Sequence, residues 1–184
     1  MKKYTLTSLI AICCFTTQVM AQEFSYNNSK DNEPATNPNI YEYLKASGYN
    51  PIEQVFKDHN AVIFYDKPSG GLIQIEVHYE SGYISIVQFA SEKNQTTGNT
   101  QVIDFRPLGD KTMYFIANAT MVTTEMVKVL YNNEKGCVSF VVELPLMRMY
   151  DFKLYFDKCL HNILSARNFI DKILKLASEN SNNK

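Results

Sequence analysis

Near the C-terminal end, eight side chains recur at alternating steps of four and three: Phe152, Phe156, Cys159, Ile163, Ala166, Ile170, Ile173 and Ala177. A strand cannot place that spacing on one side, whereas a helix of about 3.6 residues per turn does. Leu160, Leu164 and Leu174 widen the stripe; Lys153, Asp157, Lys158, Asn162, Ser165, Asn168, Asp171, Lys172 and Lys175 take the far side. The pattern predicts an amphipathic helix of roughly seven turns whose apolar face must be covered. A sheet is the expected cover. A stripe this long also suits a dimer seam, so a homodimer is the second use open to it.

The sheet is legible upstream. Ala61, Val62, Ile63, Phe64 and Tyr65 form an apolar run, and the cluster Asp66-Lys67-Pro68-Ser69-Gly70-Gly71 turns the chain. Residues 72–79 alternate, with Ile73, Ile75, Val77 and Tyr79 on one face and Gln74, Glu76 and His78 on the other. Glu80-Ser81-Gly82 is a second turn and residues 83–89 a third strand, which completes an antiparallel meander. Residues 125–131 and 137–144, joined by Asn132-Asn133-Glu134-Lys135-Gly136, read as a hairpin with Val127, Val129 and Tyr131 on one face. Between meander and hairpin, residues 91–100 read as a polar loop and 101–105 as a short strand closed by Pro107 and Gly109. Asp110 is placed to cap a helix to about Val122, although Met113-Tyr114-Phe115-Ile116 also suits a strand. Before the meander, residues 39–47 suit a short helix stopped by Gly48, with Ile40, Tyr43 and Leu44 on one side. The fold class expected is therefore α+β: an antiparallel sheet of meander plus hairpin, packed by a long C-terminal helix.

The N-terminus predicts the compartment. Met1-Lys2-Lys3 is a positive start, residues 6–15 are a short apolar run, and Val19-Met20-Ala21 is a small-x-small cleavage site. Residues 1–21 read as a secretory signal peptide, too short for a membrane span of roughly 20 apolar residues. Cys13 follows Ile12 and Cys14 follows Cys13, so neither has the small preceding residue of a lipidation site, and a soluble product is expected. Cleavage near Ala21 leaves 163 residues, a secreted or periplasmic protein. Residues 22–38 are nearly all polar or helix-breaking and read as a flexible tail; residues 39–184 read as one domain.

Composition then excludes partners. Loss of Lys2 and Lys3 leaves 16 basic against 19 acidic side chains, a formal −3, scattered along the chain. That is no footprint for nucleic acid, and no polybasic stretch addresses anionic lipid. Two cysteines survive processing. Cys159 lies on the helix stripe, and Cys137 shares a strand face with Ser139 and Glu143, opposite Val138, Phe140, Val142 and Leu144. They read as two separate thiols rather than a disulfide, because Cys137 points away from the face the helix covers.

No GxSxG, HExxH, CxxC or P-loop is present. Glu76, His78 and Glu80 at i, i+2, i+4 are the best constellation for a metal. Ligands in line on a flat strand, about 7 Å apart, diverge, so a solvated sheet face is the expected reading and no cofactor is assigned. The chain has 12 Tyr, 11 Phe and no Trp. Tyrosine combines an apolar body with a polar tip, which suits interfaces, and Tyr65, Tyr79, Tyr83 and Phe89 on the meander are the candidate interaction surface. Asn27-Asn28-Ser29, Asn94-Gln95-Thr96 and Asn118-Ala119-Thr120 match the N-glycosylation pattern, which matters only in a eukaryotic secretory route.

The order of elements resembles the YbjN-type family, bacterial proteins with a fold like that of type III secretion chaperones. The likeness is carried by Tyr43-Leu44-Lys45-Ala46-Ser47-Gly48-Tyr49 as opening helix and glycine, residues 61–89 as meander, and Ile116-Ala117-Asn118 in a middle helix. Residues 127–131 and 137–144 and the final helix close it, for a span of roughly 40–177. The signal peptide and residues 101–109 depart from the pattern. The resemblance implies a chaperone-like or regulatory protein that binds other proteins, with no catalytic residues. The function expected is accordingly a non-enzymatic interaction module. The alternative is a binder of small apolar ligands between sheet and helix, with Met113, Met121, Met126, Met147 and Met149 as lining.

Overall fold

Gly82, at φ 76°, takes a left-handed turn that residues with a Cβ avoid, and its N–H donates to the His78 carbonyl, so the chain reverses there. This is one of the tight connections that build the sheet. The computed structural model describes residues 29–57, 59–93 and 100–182. In chain order these form α1 (Asn37–Ala46), β1 (Ile52–Val55), β2 (Asn60–Asp66), β3 (Gly71–His78), β4 (Tyr83–Phe89), β5 (Ser91–Lys93), β6 (Thr100–Val102), α2 (Asp110–Thr123), β7 (Lys128–Asn132), β8 (Cys137–Pro145) and α3 (Met149–Asn182). The fold is α+β. Six antiparallel strands run in the order β1-β2-β3-β4-β8-β7, and β5 and β6 form a separate two-stranded ladder. The last strand, β8, is thus inserted between β4 and β7.

One face of this sheet is the core. Val62, Phe64, Ile73, Ile75, Ile84, Ile86, Val138, Phe140 and Val142 are all buried there. The α3 stripe covers them with Met149, Phe152, Phe156, Cys159, Ile163, Ala166 and Ile170, at the three-and-four spacing read from the sequence. Phe156 meets Tyr43, Tyr49, Phe64 and Phe152 at ring-centroid distances of 5.4–6.4 Å, an aromatic knot joining α1, β2 and α3. Ile40 and Leu44, one turn apart on α1, and Met113, Ile116 and Ala117 on α2 complete the same core.

Several elements differ in detail from the sequence reading. β1 pairs with β2 although its four residues show no burial alternation; the edge of β2, rather than its own pattern, supplies its hydrogen bonds. The segment at 113–116 is helical, and Gly109 rather than Asp110 stands at the cap; the Asp110 carboxylate accepts the Tyr131 hydroxyl at 3.0 Å. Tyr79 does not continue β3, which ends at His78. Within the stretch read as a tail, residues 29–38 are docked on the start of α3. Ala35 is 2% exposed and donates to the Met147 carbonyl, Glu33 accepts from Met149 N–H, and Lys153 pairs with Asp31. Thr36 caps α1, accepting from Asn39 N–H. Residues 1–28, with the signal peptide, lie outside the described residues, as do Asn94-Gln95-Thr96.

Cys137 and Cys159 are both buried free thiols. One polar cluster interrupts the core at the end of the sheet near the middle of α3. Gln88, fully buried, donates to Ser69 Oγ at 2.6 Å, and the Asp66 carboxylate accepts from Ser69 N–H at 2.9 Å. The Arg167 guanidinium donates to the carbonyls of Ser69 and Ser91.

Candidate functional site

Among the described residues no helix covers the opposite sheet face, whose register arranges it in four rows; the small or central side chains Ala61, Ser85 and Val141 are buried there between larger neighbours. Tyr65 pairs with Leu72, and Phe89 with Ser139, which pairs with Leu130; Leu72 and Phe89 lie one step beyond the Ile73–Gln88 pair and close the first row. The second row is Ile52, Ile63, Gln74, Val87, Val141 and Lys128. The third is Gln54, Ala61, Glu76, Ser85 and Glu143, and the fourth is His78, Tyr83 and Pro145. The first two rows are mostly apolar, and the charge is concentrated in the others.

Leu72 and Leu130 are 50% and 51% exposed, and Tyr65, Phe89 and Ile52 are exposed as well. Water borders this row although each strand is buried on its other side. Single exposed apolar residues are ordinary on any surface; three side by side on neighbouring strands, Tyr65, Leu72 and Phe89, are not.

The candidate aromatics divide. Tyr65 and Phe89 stand in the first row. Tyr83 stands in the fourth, three rows or about 20 Å away at 3.4 Å per residue, with its ring stacked on His78 at 4.4 Å. Tyr79 is exposed in the turn after β3, beside a groove of about 660 Å³ lined also by Val55, Phe56, His59 and Glu80. Sequence reasoning missed Leu72, Leu130 and Ile52. The signal for Leu72 and Leu130 was there: each is a large apolar residue at an alternation position otherwise filled by polar ones.

At the polar end, Glu76 sits between two histidines. Its carboxylate oxygens lie 3.0 Å from His78 Nε2 and 3.4 Å from His59 Nε2, and Gln74 donates to it. Ser85 Oγ is 3.2 Å from the same His78 Nε2. A serine–histidine–acid relay needs serine and acid on different ring nitrogens, so this geometry does not make one. Glu80 lies in the β3–β4 turn, off the strand, and among the described residues no group of three or more His, Cys, Asp or Glu is placed to hold a metal ion. The centre of the space between sheet and α3 is filled by Phe64, Phe140, Phe152, Phe156 and Met113, each 1% exposed or less, and at its margin a cleft of about 230 Å³ is lined by Tyr49, Asp66 and Pro68 and by Asp157, Leu160 and Leu164 of α3. Of the other methionines, Met149 is buried and Met126 exposed. No described helix is long and apolar enough to cross a membrane.

No protein-family model, curated protein or solved structure matches this chain.

Proposed function

We propose that this chain is a non-enzymatic protein-interaction module, chaperone-like or regulatory, that acts outside the cytoplasm after cleavage near Ala21 and binds protein through the open face of its sheet. The observation that carries the reading is the first row of that face, where Tyr65, Leu72, Phe89 and Leu130 are exposed apolar side chains and the half-buried Ser139 is the one polar member. Covering such a row removes apolar area from water at about 25 cal/mol per Å², and its neighbours in the second row extend the patch. The occupant is a protein, a second copy of the chain included.

A photo-reactive residue at position 72, in cells exporting the protein, tests this. Cross-linking to protein from position 72, but not from the exposed Phe115 on α2, supports it. No protein product from position 72 overturns it. N-terminal sequencing of the exported protein checks the compartment: a chain beginning at Gln22 is expected, and an intact Met1 in the cytoplasm overturns that part.

A further inference from the structure

We infer that the open face is covered by a second copy of this chain, packed face to face about a two-fold axis parallel to the strands and running between β3 and β4. The inference rests on the reading of that face as a protein-binding surface, and it names the occupant.

The register decides which axis is acceptable. An axis parallel to the strands keeps each row opposite itself and reverses the strand order, so β1 meets β7, β2 meets β8, and β3 meets β4. Leu72 then lies over Phe89 of the second copy, Gln74 over Val87, Ile63 over the buried Val141, and Ile52 over Lys128. Glu76 lies over Ser85 and Glu143 over Ala61, so no carboxylate faces another. An in-plane axis across the strands would instead lay the apolar first row over His78, Tyr83 and Pro145. The strand-parallel axis keeps the apolar first row opposite itself and sets no like charges against one another.

Two further features fit a self-covered face. The charged side chains of the four rows are already paired within one copy: Lys128 with Glu143, and Glu76 with His59 and His78. Covering them therefore strands no lone charge. The area also suffices. The six strands hold 40 residues in all, which at about 3.4 Å per residue and about 4.8 Å between strands present about 650 Å² in projection, and side-chain relief brings this toward the ~800 Å² per partner of a standard interface. Aligned sheets cross at about 30°, which displaces the corners first and leaves the contacts near the axis, Leu72 with Phe89, the firmest.

The test is sedimentation equilibrium on the exported chain, its Leu72→Glu variant and a Tyr65→Cys/Ser139→Cys double variant. Within one copy, positions 65 and 139 are three strand spacings apart, about 14 Å, beyond the ~7 Å reach of a disulfide. Across the inferred axis they face each other. The wild type is expected to be a dimer, Leu72→Glu to weaken it at least about 100-fold because the change occurs twice near the axis, and the double variant to give a covalent dimer on oxidation. Leu72 is half exposed, and circular dichroism of the variant should match the wild type. A wild type that is monomeric at about 100 μM, corresponding to a Kd weaker than ~10⁻⁴ M, overturns the inference. So does a dimer that ignores Leu72→Glu and yields no cross-link. A monomer that still cross-links from position 72 to a different protein overturns the second copy while leaving the binding function standing.

Discussion

Arg167 joins three parts of the fold with one side chain: it stands on α3 and donates to the carbonyl of Ser69 in the β2–β3 turn and to that of Ser91 after β4. Arg167→Ala is expected to cost about 1–3 kcal/mol, because two part-buried carbonyls lose a charged donor, and Arg167→Lys to recover only part of that for want of the planar fork. Urea unfolding measures both. Gly71 belongs to the same corner. A Cβ there would lie 2.5 Å from Gln88 Nε2, and Gln88 is fully buried and bonded to Ser69, so it has nowhere to retreat. Gly71→Ala should destabilise by about 1–3 kcal/mol through overpacking. Burial pushes the Cys159 thiol up from 9.0 to about 11. The folded state then holds its proton longer than the unfolded one, so this contribution to stability is complete below pH 9 and lost as pH rises toward 11. Urea midpoints between pH 8 and 11 should show that decline, and Cys159→Ala should lessen it. A midpoint falling equally in both proteins would place the titration elsewhere.

At the scale of elements, α3 is held by its aromatic knot. Phe156→Ala is expected to cost about 3–5 kcal/mol, comparable to the whole stability of a weak domain, and thermal unfolding followed by circular dichroism reads it. The same element shows what a sequence makes legible. The α3 stripe, the meander and the β7–β8 hairpin were readable because periods of 3.6 and 2 persist over several turns or pairs and end at Gly, Asp or Asn. β1 was not. Ile52-Glu53-Gln54-Val55 is too short to show a period, and it is a strand because Ile63, Val62, Ala61 and Asn60 stand opposite. Residues 29–38 likewise look like a tail by composition, yet backbone bonds to Met147 and Met149, which no side-chain pattern encodes, hold them down. The open face was half legible. Tyr65 and Phe89 could be named as aromatics on strands, but that they share a row with Leu72 and Leu130 depends on register, and register is set by pairing between distant segments.

For the whole molecule, protection should grade from edge to centre. β1 pairs on one side only, and all four of its residues are exposed, whereas β4 is bracketed by β3 and β8. Amide hydrogen exchange should find β1 exchanging orders of magnitude faster than the core-facing amides of β4, which report global unfolding. Equal protection in both strands would mean that the sheet opens only as a unit.

The placement of β8 between β4 and β7 has a consequence for how such a chain comes into being. Tyr83 waits for Pro145, and Phe89 for Ser139. Delivered from its N-terminus, the chain assembles β1 to β4 first and then holds the β4 edge bare while some fifty further residues arrive. A bare edge invites any other strand. The interval between the emergence of residue 89 and that of residue 145 is therefore the time in which this protein most needs a companion.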